Sequence, residues 1–445
     1  MSEMAQRELP EGWTFKPIGE IVQPTRPRVS PAEKPDLPFL GMDHIEAQTM
    51  RLLGSVPASS MKSSAVHFQP GDVLYGRLRP YLNKVFQPTF EGLCSAEFIV
   101  FPETEELDNK YLQYFLNSSS FVRYATSLNS GDRPRVKFEQ FSSHCIPLPP
   151  TVNDQKRIVA KIEELFSHID AGVDELKKTQ RLLKQYRQSV LKAAVTGELT
   201  KEWREENKDK LEPASELLNR VLVEKQKKAK GKYKEPEPLE EVPDIILPDT
   251  WQWVAIGQVF DVYVGATPSR KELKYWDGGI NWVSSGEVAF CRIKKTKETI
   301  TDDGLKNTSA ELHPPGTVML GMIGEGKTRG QAAILDIHAA HNQNTAAIVK
   351  CVDEMSSEYL YFYLMQQYEI TRRRGSGNNQ KALNKTRVQA IEFPLPSVQE
   401  QKEIVALAQE KLDSIERLES EISIFMKKAE RNKQSFLSWS FQGKT

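Results

Sequence analysis

The sequence predicts an α+β protein built twice over: two similar α+β domains separated by an antiparallel pair of long coiled-coil helices, with pseudo-two-fold character. Three observations predict it. The chain repeats itself in order. Each repeat mixes short β-rich runs with one clear helix. Each repeat then runs into a helical pattern of about 40 residues whose single apolar stripe needs a partner.

The repeat is read from paired segments. Leu9-Pro10-Glu11-Gly12-Trp13 is echoed by Leu247-Pro248-Asp249-Thr250-Trp251, and Ile18-Gly19-Glu20-Ile21-Val22 by Ile256-Gly257-Gln258-Val259-Phe260. Pro70-Gly71-Asp72-Val73-Leu74 is echoed by Pro315-Gly316-Thr317-Val318-Met319, and the Tyr111–Leu116 segment by Tyr359–Leu364. Ile146-Pro147-Leu148-Pro149 matches Phe393-Pro394-Leu395-Pro396, and Gln155–Val159 matches Gln401–Val405. The offsets run from 238 (Leu9 to Leu247) to 248 (Tyr111 to Tyr359). The resulting division is 1–150, first domain; 151–200, first long helix; 201–246, charged linker with a short helix; 247–396, second domain; 397–445, second long helix.

Within the domains, Ala96–Phe101 and Thr345–Val349 read as strands, and Asp108–Leu116 and Ser357–Gln367 as helices. Prolines bar helix upstream of each long helix. Ser397-Val398-Gln399-Glu400 has the form of a capping box, and Thr151-Val152-Asn153-Asp154 is the same device with a shorter acid. The first stripe runs through Ile158, Ile162, Leu165, Ile169, Gly172, Leu176, Thr179, Leu183, Tyr186, Val190 and Ala193. The second runs through Ile404, Ala408, Lys411, Ile415, Leu418, Ile422, Phe425, Ala429, Asn432, Phe436 and Trp439. Small Gly172 and Thr179 against large Leu418 and Phe425 suggest antiparallel pairing in which large residues fill gaps. In the linker, Pro213–Ala229 reads as a short amphipathic helix, and the lysine run Lys225–Lys234 as a solvated segment.

Composition bounds the function. Hydrophobic content of 39% and charged content of 27% are ordinary for a globular protein. No apolar run approaches the roughly 20 residues that span a bilayer. The opening MSEMAQRELPEGW shows no signal-peptide pattern, so the expectation is a cytoplasmic protein. The 4 cysteines have neither metal nor disulfide spacing, and the 7 histidines form no ligand-like cluster. Lys plus Arg equals Asp plus Glu, 60 each, which counts against a nucleic-acid role without excluding one, because only local charge meets phosphates. Gly321–Thr328 spells G-x-x-x-x-G-K-[ST], but Gly330 and a strand-like run follow where a phosphate loop needs a helix. The expectation there is a hairpin tip with basic residues. No constellation of catalytic residues assembles, so the expectation is a recognition device rather than an enzyme.

Two domains each opened by Leu-Pro-x-x-Trp and closed by Pro-Leu-Pro-x-x-x-x-x-Gln-x-x-Ile-Val, with a long helix finishing near Val195–Arg204, resemble the specificity subunit of type I restriction–modification enzymes. The resemblance implies two target-recognition domains, each reading half of a bipartite site in double-stranded DNA. It implies a helical ruler between them. It also implies two modification (methyltransferase) subunits that bind S-adenosylmethionine and methylate adenine, and restriction/translocase subunits using ATP and Mg. No cofactor is expected on this chain itself. A helix of about 40 residues spans roughly 60 Å, or roughly 17 base pairs. Two other readings stay open: the specificity subunit of another bipartite-site assembly, and a coiled-coil scaffold that binds proteins rather than DNA.

Candidate DNA contacts fall on paired loops. The hairpin tips carry Arg77, Arg79 and Lys84 in one half, and Lys327 and Arg329 in the other. The loops after the domain helices carry Ser130, Gly131, Arg133, Arg135 and Lys137 in the first half. In the second they carry Arg372, Arg373, Arg374, Gly377, Asn378, Asn379, Gln380 and Lys381. Asn342 and Gln343 are weaker candidates. Arg, Asn and Gln suit base edges, lysines suit phosphates, and glycine allows close backbone approach.

Overall fold

A computed structural model describes residues 9–24, 27–129, 131–229, 233–324, 326–373 and 383–444. The chain divides into two compact units, Met1–Thr179 with Glu421–Thr445, and Gln180–Ser420. Each unit therefore contains one α+β domain, part of the long helix that follows it, and part of the other long helix.

The repeated segments make the same contacts in each unit. The strand after Leu-Pro-x-x-Trp pairs antiparallel with the Pro-Leu strand that ends the domain: Thr14–Pro17 with Cys145–Leu148, and Gln252–Ala255 with Glu392–Leu395. In both domains the same tyrosine ties the domain helix to that strand. The Tyr111 hydroxyl donates to the Pro147 carbonyl at 2.7 Å, and the Tyr359 hydroxyl to the Pro394 carbonyl at 2.9 Å. The domain helices, Asn109–Asn117 and Ser357–Gln366, are capped by Asp108 and Ser356. The backbone N–H of each cap residue then donates to a glutamine at the start of the long helix, Gln155 at 2.8 Å and Gln401 at 3.0 Å. This fixes the angle at which each long helix leaves its domain. In the Pro-Gly pair of each half the glycine has positive φ, 87° at Gly71 and 86° at Gly316, which only glycine adopts cheaply.

The sheets carry the candidate loops. In the first domain the strands Val73–Gly76 and Val85–Phe86 form a hairpin, with Phe98–Phe101 on its other side. In the second, Val318–Gly321 pairs with Ala332–Leu335 and with Thr345–Lys350 in the same arrangement. The segment 321–328 thus begins at the end of one strand and leads back to the next, and among its described residues no helix opens.

The long helices are Val152–Thr196, 45 residues, and Val398–Ser440, 43 residues. They run antiparallel inside each unit. In the first unit Val159 and Ile162 share a core with Leu437 and Phe441, and Asp170 meets Lys433 at 2.6 Å. In the second unit Arg187 meets Glu419 at 3.1 Å, and Thr200 meets Glu400. Half of each expected stripe is displaced by one residue. The inward row on the first helix is Val159, Ile162, Phe166, Ile169, Val173, Leu176, Gln180, Leu183, Arg187 and Val190. Gly172, Thr179 and Tyr186 are exposed, as are Leu418, Phe425 and Trp439, while Glu419, Met426, Lys433 and Ser440 turn inward. The large-into-small packing of Gly172 and Thr179 against Leu418 and Phe425 is therefore corrected. The seam is interrupted by ion pairs, which specify register more than they stabilise.

Two further expectations change. The Glu400 carboxylate does not close the capping box: Ser397 Oγ accepts the Glu400 N–H at 3.2 Å, but the carboxylate points elsewhere. And the lysine run is not wholly solvated. The linker helix is Ala214–Lys228, and Lys225 Nζ donates to the carbonyls of Gly257 and Phe260 and to Asp261, while Lys228 Nζ donates to the Cys351 carbonyl. Both lysines pin the linker helix to the second domain through orphan carbonyls.

Candidate nucleic-acid interface

In the first domain the hairpin tip and the glycine loop, joined by residues 55 to 59 apart in sequence, form one surface. The Arg77 N–H donates to the Glu97 carbonyl at 2.9 Å, Val136 N–H to the Arg77 carbonyl at 3.0 Å, and Arg79 N–H to the Pro134 carbonyl at 2.7 Å. Leu78 and Arg135 add an antiparallel bridge. The loop is thus stitched to the tip as an extra strand.

The tip is held in an unusual backbone. Arg79 and Asn83, with φ of 52° and 47°, bracket the turn Pro80–Leu82. A non-glycine residue in this region costs on the order of 1 kcal/mol or more and persists only where its surroundings hold it. Here the Gln48 N–H donates to the Leu82 and Asn83 carbonyls, and the Asn83 amide donates to the Asn117 carbonyl at 3.2 Å. Sequence reasoning missed Gln48, Asn83 and Asn117, because a left-handed asparagine or glutamine has no local signature when its braces are more than 30 residues away.

The candidate residues separate into free cations and struts. Among the described residues, the side chains of Arg77, Arg79, Arg133 and Lys137 make no ion pair or hydrogen bond with protein acceptors, and Arg133 and Lys137 are exposed. Gly131 has φ of 113° with open space around it, so glycine serves the turn there, not a crowded approach. Arg135 is paired with Glu97 at 2.6 Å. Lys84 is corrected: its ammonium is turned onto the Met42 carbonyl, and it braces the tip from behind. Ser130 lies outside the described residues.

The second domain repeats the arrangement with other residues. Its tip rests on the short helix Tyr368–Arg373. The Tyr368 hydroxyl donates to the Lys327 carbonyl at 2.7 Å, Arg372 to the Gly326 carbonyl at 2.7 Å, and Arg329 to the Arg372 carbonyl at 3.0 Å. The Arg372 guanidinium also lies 5.4 Å from the Tyr368 ring centre. Arg329 and Arg372 are therefore reassigned from reading residues to struts that join tip and helix. Lys327 is exposed. Arg373 ends the helix, and Arg374, Gly377, Asn378, Asn379, Gln380 and Lys381 lie outside the described residues. Asn342 is corrected as well: it is buried, and its amide oxygen accepts from the Asn344 N–H and the Thr345 hydroxyl. Gln343 beside it is exposed and accepts the Thr267 hydroxyl.

Among the described residues no group of three or more His, Cys, Asp or Glu could hold a metal ion, and no helix is long and apolar enough to cross a membrane. What the first domain presents is a braced tip with basic side chains and a polar loop beside it, and what the second presents among its described residues is a tip that carries Lys327 and is braced by the helix Tyr368–Arg373. That geometry suits contact with an extended polyanion.

The comparisons point the same way. The chain is 28% identical over 223 residues to the Type I restriction enzyme EcoDI specificity subunit of Escherichia coli, a match spanning 49% of this chain and half of that protein. It is 22% identical to the EcoEI specificity subunit of the same organism over 93% of this chain and 80% of the relative. Its fold matches a chain from a solved assembly of the type I R-M system, with a TM-score of 0.76 and 19% identity, over 98% of this chain and 100% of that one. It also matches the HsdS subunit from Thermoanaerobacter tengcongensis, with a TM-score of 0.59 and 20% identity, over 100% of both chains. The family described as Type I restriction modification DNA specificity domain matches residues 10–178 and again 248–424. With that domain present twice and most of its length accounted for, the chain belongs to the type I restriction–modification DNA specificity family.

Proposed function

We propose that this chain reads both halves of a bipartite site in double-stranded DNA, one half with each domain, and delivers that site to modification and restriction subunits. The chain itself is the recognition subunit, not the catalyst. S-adenosylmethionine, ATP and Mg belong, in this reading, to the partner subunits, which work in the cytoplasm.

The observation that carries the reading is the composite tip, built twice on one scaffold. The joints are the same in both domains: tyrosine to proline carbonyl, glutamine to cap residue, Pro-Gly turn. The residues at the tips differ. A shared frame with different tips is what two readers of different half-sites require. The docking of partner subunits along the helices is supported by apolar side chains left outside the seam: Leu182, Tyr186 and Leu418 in the second unit, Ile424, Phe425 and Trp439 in the first. Exposed apolar rows on long helices mark contact surfaces.

Strand-specific methylation mapping, in cells expressing this chain with a cognate modification subunit, tests the proposal. The expected result is a two-part motif with an unread spacer of fixed length, lost when this chain is deleted. A continuous motif, or methylation that persists without the chain, overturns it. Within that assay Arg133→Ala is expected to cost about 1–3 kcal/mol in specific binding and to relax one position of one half-site. Unchanged affinity and motif would remove Arg133 from the reading surface.

A further inference from the structure

Beside the first tip lies a cleft of about 340 Å³ whose rim carries Arg28, Arg77 and Lys137. Val66, Phe98 and Phe138 are among the other residues that line it. The three cations come from separate parts of the chain, and each is fixed by backbone pairing. Arg28 is set by its register opposite Val66. Arg77 is clamped on both sides, its N–H by the Glu97 carbonyl and its carbonyl by the Val136 N–H. The Lys137 N–H is held by Gln140 at 2.8 Å.

The Arg77 Nε is buried and has no hydrogen-bond partner. A buried guanidinium N–H left unpaired is destabilising unless something supplies the acceptor. Neither Arg28 nor Lys137 has a protein partner among the described residues. Glu139 is the carboxylate among the lining residues, and it stands exposed on the rim. Three cations against one carboxylate leave the cleft positive.

We infer that this cleft seats one phosphodiester of the DNA backbone, held by Arg28, Arg77 and Lys137. The inference rests on the DNA-reading role proposed above and refines it. The cleft sets the register of the first domain on the duplex without reading sequence, and the neighbouring Arg133 is left to face the bases. It adds Arg28, which no sequence pattern marked, and it assigns Arg77 and Lys137 to backbone rather than base.

The test is the salt dependence of duplex binding by the full chain in its assembly with modification subunits. Arg77→Gln is expected to make the plot of log affinity against log salt shallower by about one. It should also weaken site-containing and unrelated duplexes by the same factor, roughly tenfold, and leave the methylated motif unchanged. Arg77→Lys, which keeps the charge, should retain most of the slope, and both variants should melt with the parent. A scan of duplexes with single neutral methylphosphonates should find one position where Arg77→Gln loses clearly less affinity than the parent does. An unchanged slope, additive losses at every position, or relaxation of a single base pair would overturn the phosphate assignment. If the parent assembly binds no DNA, the role proposed above falls, and the cleft with it.

Discussion

Glu400→Ala is expected to lower the unfolding free energy of the second unit by about 3–5 kcal/mol, measured by urea unfolding of the purified chain. Glu400 is 0% exposed. One carboxylate oxygen accepts from the Thr200 hydroxyl at 2.7 Å and from Arg204 at 2.6 Å, and the other from the Trp251 indole N–H at 2.7 Å. Arg204 also donates to the Gly197 carbonyl at the end of the first long helix, and its side chain is only 11% exposed. One residue therefore ties the start of the second long helix to the end of the first and to the Leu-Pro-x-x-Trp motif. Truncating it strands a nearly buried guanidinium, an indole N–H and a hydroxyl together. Arg204→Ala leaves the carboxylate buried and is expected to cost a similar amount. The double variant should cost clearly less than the sum, because each single change damages the same network. Asp154→Ala is the internal control. It occupies the matching place in the first half, but it is less buried and bonds only Thr151 and Arg157 nearby. It should cost no more than about 1 kcal/mol. Equal effects at positions 154 and 400 would show that the buried network adds nothing to the cap.

The contrast between Glu400 and its expected role shows what the sequence can carry. The spacing Ser397-x-x-Glu400 marked a helix start, and a helix starts there. The same spacing could not show that the carboxylate would turn away from its own helix, because Thr200, Arg204 and Trp251 reach it only through the fold. The domain repeat was legible for the opposite reason. Tyr111 and Tyr359, Gln155 and Gln401, and Gly71 and Gly316 make contacts that allow little substitution, so both copies kept them. The helical seam was half legible. One row of the heptad, through Ile162, Ile169, Leu176, Leu183 and Val190, is apolar and unambiguous. Its companion row lies either three or four residues on, and the apolar Tyr186, Leu418, Phe425 and Trp439 favoured the wrong choice. A shift of one residue turns a side chain by roughly 100°, enough to exchange seam for solvent. At the tips, the basic residues were legible as candidates, but a strut and a free cation look alike in sequence. Arg133 and Arg372 differ only in whether a carbonyl awaits the guanidinium, and those carbonyls belong to distant segments.

Acidification from pH 6.5 toward pH 4 is expected to destabilise the second unit steeply, well before its carboxylates protonate in bulk. His313 and His341 face each other with Nε2 atoms 3.2 Å apart. His341 Nδ1 lies 2.9 Å from the Thr345 hydroxyl oxygen. A neutral pair satisfies this arrangement: one Nε2–H donates to the bare Nε2 of the other ring. A further proton would set two N–H groups against each other in a buried site. Burial holds His313 down to about 4 from an ordinary 6.5, and burial together with the neighbouring His313 holds His341 down to about 3. The sign follows from linkage. In the unfolded chain both rings take up protons below about pH 6.5, whereas the folded rings do so only near 3–4, so the unfolded state binds more protons throughout that window. Stability is thus complete above pH 6.5 and falls as pH drops, by about 1.4 kcal/mol per pH unit for each ring. His144 in the first unit, stacked on Tyr124 with centroids 4.0 Å apart and held at about 4 by burial, adds a single-ring version of the same effect there. Urea unfolding at pH 7 and pH 5, read from tryptophan fluorescence, measures the slope. His341→Gln is expected to lower stability at pH 7 yet flatten the acid limb, because it removes one proton acceptor from the unfolded state and the repulsion from the folded one. The strand Ala339–His341 leads directly into Asn342 and Gln343, so the second domain should lose DNA binding in the same pH range. An acid limb as steep in His341→Gln as in the parent would place the proton uptake elsewhere.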